Sequence, residues 1–320
     1  MSALALLQDA RFIDEDVHVE IPAGFVLESG DQLEDAAVLV RLHGRRGAPV
    51  IAVLGGISAG RHVGGDDGWW REFVAPGAAI DTRDFTVLGI EFAPIADQRV
   101  RLSPQDQARL IEHALEELGI ERVFAFVGAS YGGMVGLALA ARAPDRIERL
   151  CVISAADRPA ALGSAWRGVQ RRIVEFGLAH GDAEGGLSLA RQLAMTTYRT
   201  ATEFEGRFAA GVGEDGKGGV DDYLIARGEA YPQAMRPRRW LSLSEAIDRH
   251  SVDVSAITTP TTLIGASSDQ LVPIAAIRSL AAQLPALRAV HEIQSIYGHD
   301  AFLKEAASIG AILTQVLESN

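Results

Sequence analysis

Residues 124–140, FAFVGASYGGMVGLALA, constrain the fold of this chain more than any other stretch. An apolar run comes first, then a glycine-framed turn, then a run of small residues with helical character. The first part reads as a strand buried on both faces, which belongs in a parallel sheet covered by helices. Gly128 and Gly132 frame Ser130 in a G-x-S-x-G spacing. That spacing suits a tight strand-to-helix corner, where flanking side chains find no room and the serine stands exposed at the strand tip.

The rest of the chain repeats this rhythm. DVHVEIPAGFVLESG and AAVLVRLHG read as an opening antiparallel pair, and APVIAVLGGIS and RDFTVLGIEFAP as buried strands. SPQDQARLIEHALEELGI starts with serine–proline and carries apolar residues at helical spacing, Leu110, Ile111, Ala114, Leu115 and Leu118. RIERLCVIS follows as a further strand. Strands alternating with helices predict a largely parallel sheet covered on both faces. Residues 158–250 break the alternation with helical patterns and a Gly-rich, charged segment, GVGEDGKGGVDDY, that reads as a mobile loop. The alternation resumes at TTPTTLIGASSDQLVP. The expected organisation is an α/β core of residues 1–157 and 251–320, with 158–250 inserted as a helical lid.

Charge and composition remove several functions. A formal net charge of −12 argues against nucleic acid or an anionic membrane as partner. Cys151 is the one cysteine, so neither an intrachain disulfide nor a cysteine metal cluster is available, and no metal-binding spacing is found. No apolar run has transmembrane length, and the first twenty residues lack a basic start and a long apolar stretch. The expectation is a cytoplasmic protein.

A serine hydroxyl needs a base to take its proton and a third group to orient that base. On a strand–turn–helix corner the partners follow in the order serine, acid, histidine. His299, in SIYGHDAFL, falls between the last strand and the last helix; Asp269, in TTLIGASSDQLVP, falls just past the preceding strand. Asp248 and Asp253 compete less well, because they precede that strand. The helix after Ser130 offers the backbone N–H of Tyr131 to a developing oxyanion, and the GGISAGRH loop offers that of Ile57. Together these residues predict a serine-nucleophile α/β-hydrolase fold.

Longer stretches are more specific. GWWREFVAPGAAIDTRDFTVLGIE, GASYGGMVGLALAARAPDRIERL and YGHDAFL resemble the homoserine O-acyltransferase family of methionine biosynthesis, from about residue 45 to the C-terminus. The resemblance implies a ping-pong reaction through an acyl-serine. The acyl donor would be a co-substrate, acetyl-CoA first and succinyl-CoA close behind, with no permanently bound cofactor. It further implies that Asp300 binds the substrate ammonium, that Arg171 in VQRRI binds its carboxylate, and that Tyr198 stands near the substrate. A homodimer through the lid helices is implied as well. On the helix around Arg171 the apolar set is Trp166, Val169, Ile173 and Phe176, which leaves Arg171 to line a pocket or to meet solvent.

Some residues depart from the family pattern. The stretch after Glu91 lacks the usual glycine-rich loop; Ala129 and Tyr131 replace smaller or more flexible residues at the corner. These changes place the donor in question. Arg61 and His62 are candidates for a succinyl carboxylate, and the basic cluster 236–239 for CoA phosphates. An esterase or thioesterase with the same triad, and an L-serine O-acyltransferase, are the competing functions.

Overall fold

The computed structural model describes residues 11–209, 211 and 218–318. Eight strands form one sheet: β1 (Phe12–Glu20), β2 (Ala37–Arg45), β3 (Val50–Leu54), β4 (Thr86–Ile90), β5 (Ala125–Ala129), β6 (Leu150–Ile153), β7 (Thr261–Ala266) and β8 (Leu287–Ile293). Their spatial order is β1-β2-β4-β3-β5-β6-β7-β8. β2 pairs antiparallel with β1 and with β4, and the remaining neighbours run parallel. Parallel neighbours need crossover connections, so both sheet faces carry helices.

β5 shows why the central strands read as unbroken apolar runs. Every residue in it is buried. Phe126 points into one core, while Ala125, Val127 and Ala129 point into the other. The first core takes in helices α1 (Pro104–Glu117) and α2 (Tyr131–Arg142). The serine–proline start of α1 is a reciprocal cap: Ser103 Oγ accepts from the Asp106 N–H, and the Asp106 carboxylate accepts from the Ser103 N–H. Such a cap is worth about 1 kcal/mol.

Among the described residues, five α-helices lie between β6 and β7: α3 (Ala161–Ala179), α4 (Ala183–Tyr198), α5 (Ala201–Phe208), α6 (Val220–Ala230) and α7 (Pro237–Asp248). The chain then adds α8 (Ile274–Ala281), the single turn α9 (Ala301–Lys304) and α10 (Ala306–Glu318), which lines the second core with Trp70 and Phe73. Residues 212–217, within the segment read as a mobile loop, lie outside the described residues, as do residues 1–10. No helix among the described residues is long and apolar enough to cross a membrane.

Helix α3 does not bury the face expected of it. Val169 and Phe176 are exposed, and the buried residues are Gly163, Gln170, Val174 and Gly177. A side chain at Gly177 would meet the Asp182 carbonyl at 2.4 Å and the Gly186 Cα at 2.9 Å. The close approach of α3 to α4 therefore selects a seam of small residues, and Val169 and Phe176 turn outward.

Candidate active site

The parallel strands bring four distant loops to one edge of the sheet. Ser130 follows β5 at φ 54° and ψ −118°, a conformation that non-glycine residues rarely adopt. Its two framing glycines are close-approach residues. A Cβ on Gly128 would lie 2.3 Å from the Gly132 carbonyl oxygen, and one on Gly132 would lie 2.3 Å from that of Leu54. The corner closes only without those side chains.

His299 stands in a 3-10 turn, Gly298–Asp300, after β8. Its Nε2 lies 2.8 Å from Ser130 Oγ and its Nδ1 lies 2.7 Å from Asp269 Oδ2. Asp269 is buried in the loop after β7, where Oδ1 accepts the backbone N–H groups of Leu271 and Val272 at 2.8 and 3.0 Å. The structure thus joins Ser130, His299 and Asp269 in one hydrogen-bonded chain. Burial works against the imidazolium form of His299, but the charge and hydrogen bond of Asp269 and the charge of Asp300 outweigh it. The net shift is upward from the ordinary histidine value, with Arg167 opposing it.

Ser130 and His299 open on a cavity of about 270 Å³. Ile57, Ser58 and Trp69 line it from the core, and Trp166, Arg167, Gln170, Arg191 and Tyr198 from α3 and α4. The Tyr198 ring centre is 6.1 Å from that of His299. Ile57 sits on the wall beside Ser130, and the Tyr131 N–H opens α2, where no intrahelical carbonyl reaches it. The Tyr131 side chain turns the other way. It is fully buried edge-on to Phe92 at 4.9 Å, so the departure at this position alters the core and not the cavity.

Three sets of candidate residues lie off the cavity wall. Arg171 is not among the lining residues; its guanidinium binds Ser244 and the Asp248 carboxylate, at 3.1 and 2.7 Å, behind the wall. One turn earlier on the same helix, Arg167 lines the cavity, held on Asp248 Oδ1 by Nε and Nη2 at 2.9 and 2.6 Å. Arg61 is pinned to Asp16 by two 3.0 Å hydrogen bonds and, like His62, is not on the cavity wall. The 236–239 cluster disperses: Arg239 is buried under the Phe92 and Pro94 carbonyls and pairs with Glu91, while Arg236 and Arg238 face Glu184 and Asp97.

Sequence reasoning passed over Arg167 and Arg191. The Arg191 guanidinium lies over the rings of Tyr231 and Tyr198, 4.7 and 5.6 Å from their centres. Among the described residues no carboxylate lies within ion-pairing distance of it. The available signal was its place in ARQLAMTTY, two turns before Tyr198 on the same helix.

The aromatic pair of GWW divides its work. Trp69 lines the cavity and donates Nε1–H to the Gly60 carbonyl at 3.1 Å, and Trp70 is buried with Nε1–H on the Phe302 carbonyl at 2.9 Å. Asp300, the residue after His299, also lines the cavity.

The chain is similar to proteins already known. A family model described as alpha/beta hydrolase fold matches residues 49–306. A homoserine O-succinyltransferase of Xanthomonas campestris is 39% identical over 288 residues, covering 87% of this chain and 78% of that protein. A homoserine O-acetyltransferase of Deinococcus radiodurans is 32% identical over 296 residues, covering 88% and 86%. Among solved structures, homoserine O-acetyltransferase from Staphylococcus aureus superposes with a TM-score of 0.80 at 23% identity, covering 96% of this chain and 95% of that one. Esterase E22 superposes at 0.85 with 18% identity, over 96% and 100%. At those identities the superpositions speak for the fold alone.

Proposed function

Because the chain belongs to the homoserine O-acyltransferase family of the α/β-hydrolases, we propose that it acylates the hydroxyl of L-homoserine from an acyl-CoA, with Ser130 carrying the acyl group between them. One observation carries this reading: the Ser130–His299–Asp269 chain opens on a cavity that presents both a guanidinium, Arg191, and a carboxylate, Asp300. An α-amino acid brings the two complementary charges, and a simple ester brings neither.

Ser130 Oγ attacks the thioester carbon as His299 Nε2 takes its proton. The oxyanion sits between the N–H groups of Ile57 and Tyr131. Collapse breaks the C–S bond, and CoA leaves as a thiol with the proton from His299. The homoserine hydroxyl then gives its proton to His299 and attacks the acyl carbon. The second collapse breaks the bond to Oγ and returns the proton to Ser130. Asp269 stays ionised throughout, holding the imidazole tautomer and its cation.

Residues 158–250 act as a lid over this chemistry, set on a core of 1–157 and 251–320. Arg191 takes the acceptor carboxylate on its planar fork, Asp300 takes the ammonium, and Tyr198 packs beside both. Arg167 on the same wall supports succinyl-CoA over acetyl-CoA, since an acetyl group has no charge to set against it. The apolar face left exposed on α3 supports a homodimer through the lid, and the chemistry belongs to cytoplasmic methionine biosynthesis.

The test follows free thiol from succinyl-CoA or acetyl-CoA, with and without L-homoserine, beside Ser130→Ala and Arg167→Leu. Homoserine-dependent release, absent in Ser130→Ala and strongest with succinyl-CoA, is expected. Arg167→Leu should lower the succinyl rate on the order of tenfold relative to the acetyl rate. Release that ignores homoserine would make water the acceptor and the protein a thioesterase.

A further inference from the structure

The lid corner between α4 and α5 is built onto the turn that holds His299. Thr200 Oγ1 donates to the Ile296 carbonyl. Gly298, at φ 59°, lies so near that a Cβ there would be 2.6 Å from the Tyr198 carbonyl oxygen. Between these contacts sits Arg199, 8% exposed at the C-terminal cap of α4. Its Nε donates to Asp300 Oδ2 at 3.2 Å and its Nη1 to Glu203 Oε1 at 2.9 Å, under the ring of Tyr223 at 5.3 Å. Both carboxylates are themselves largely shielded, at 13% and 10% side-chain exposure.

Such a cation has a reason to be where it is. Asp300 follows His299 directly, and Asp269 already stands 2.7 Å from that ring. Arg199 fixes the first of these carboxylates and leaves the second to the imidazole. It uses only Oδ2, and Asp300 lines the cavity, so Oδ1 is left for a ligand there. Glu203 fixes Arg199 from behind, and the guanidinium fork spans both carboxylates in a way that a single ammonium cannot.

We infer that Arg199 is a positioning residue for the acceptor: by holding one oxygen of Asp300, it aims the other at the ammonium of the incoming amino acid. The inference rests on the function proposed above, in which Asp300 meets that ammonium. Arg199 touches neither acyl donor nor Ser130, so its removal should spare the first half-reaction.

The experiment separates the two half-reactions. The burst of thiol from acyl-CoA alone reports acylation of Ser130, and the homoserine KM in steady state reports the acceptor site. Arg199→Gln should raise that KM on the order of tenfold and leave the burst unchanged. Arg199→Lys should recover part of the loss. The double variant Arg199→Gln/Asp300→Asn should be no worse than Asp300→Asn alone, because the two act as one unit. Should Arg199→Gln fail to fold, Arg199→Lys carries the test with a smaller rise in KM.

An unchanged KM, a burst that falls in step with turnover, or effects that multiply in the double variant would overturn the inference. A wild-type burst that homoserine does not turn over would overturn the proposed function itself, a result visible before any variant is made.

Discussion

In the proposed reaction Ser130 is a weak nucleophile made useful by its neighbours, and the most sensitive of them is His299. Its imidazole must be neutral to take the serine proton, yet Asp269 and Asp300 favour the cation enough to outweigh burial. The sign follows: a raised pKa means that the working form is lost as pH falls through a value above the ordinary 6.5 or so. The acid limb of kcat/KM should therefore lie on the alkaline side of an ordinary histidine. Asp269→Asn removes the largest favourable charge and hydrogen bond. That limb should move to lower pH while the rate drops on the order of 10³–10⁴, because the wrong tautomer faces Ser130. A pH–rate profile of both proteins checks this, and an acid limb that stays in place in Asp269→Asn would remove Asp269 from its role.

Between elements, a hydrogen bond joins the proposed lid to the loop after β3 that holds Ile57: Ser58 Oγ and Tyr231 Oη are 2.7 Å apart. Tyr231 also carries Arg191 on its ring face. Tyr231→Phe keeps the ring and removes a hydrogen bond worth about 0.5–1.5 kcal/mol, which loosens the lid beside Ile57. Thiol release without homoserine should then rise a few-fold relative to release with it; an unchanged ratio would mean that this contact plays no part in excluding water. How legible these elements were depends on what fixes them. Ser130, Asp269 and His299 are readable because each follows a strand of a parallel sheet, so topology alone delivers them to one edge. The α1 start was readable because a cap is a local, chemical signal. The face of α3 was not, since the glycine seam with α4 outweighs the pattern of its larger side chains. Arg171 was expected at the cavity from the family resemblance, whereas the helix turns Arg167 toward it. Arg199 was missed for a related reason: its partners Glu203 and Asp300 meet it only through the packing of the lid corner on the 296–300 turn.

For the molecule as a whole, the outward turn of α3 leaves an apolar stripe with nothing over it in one chain. Leu162, Val169 and Phe176 are 53%, 41% and 66% exposed at a strict seven-residue spacing. That spacing keeps them on one side of the helix along four turns. A chain with net charge −12 repels its copies over most of its surface, so association through this stripe would have to be local and apolar. An isologous pairing of two α3 helices meets both conditions, because each stripe covers the other and the assembly closes at two. Sedimentation should then give about twice the chain's 34.1 kDa, and Phe176→Glu should halve it by setting like charges against each other across the axis. Phe176 is not on the cavity wall, so the burst of thiol from acyl-CoA should survive the substitution. Wild-type protein sedimenting at 34.1 kDa would instead leave the stripe without a partner of its own kind, and the pairing of two α3 helices would be ruled out.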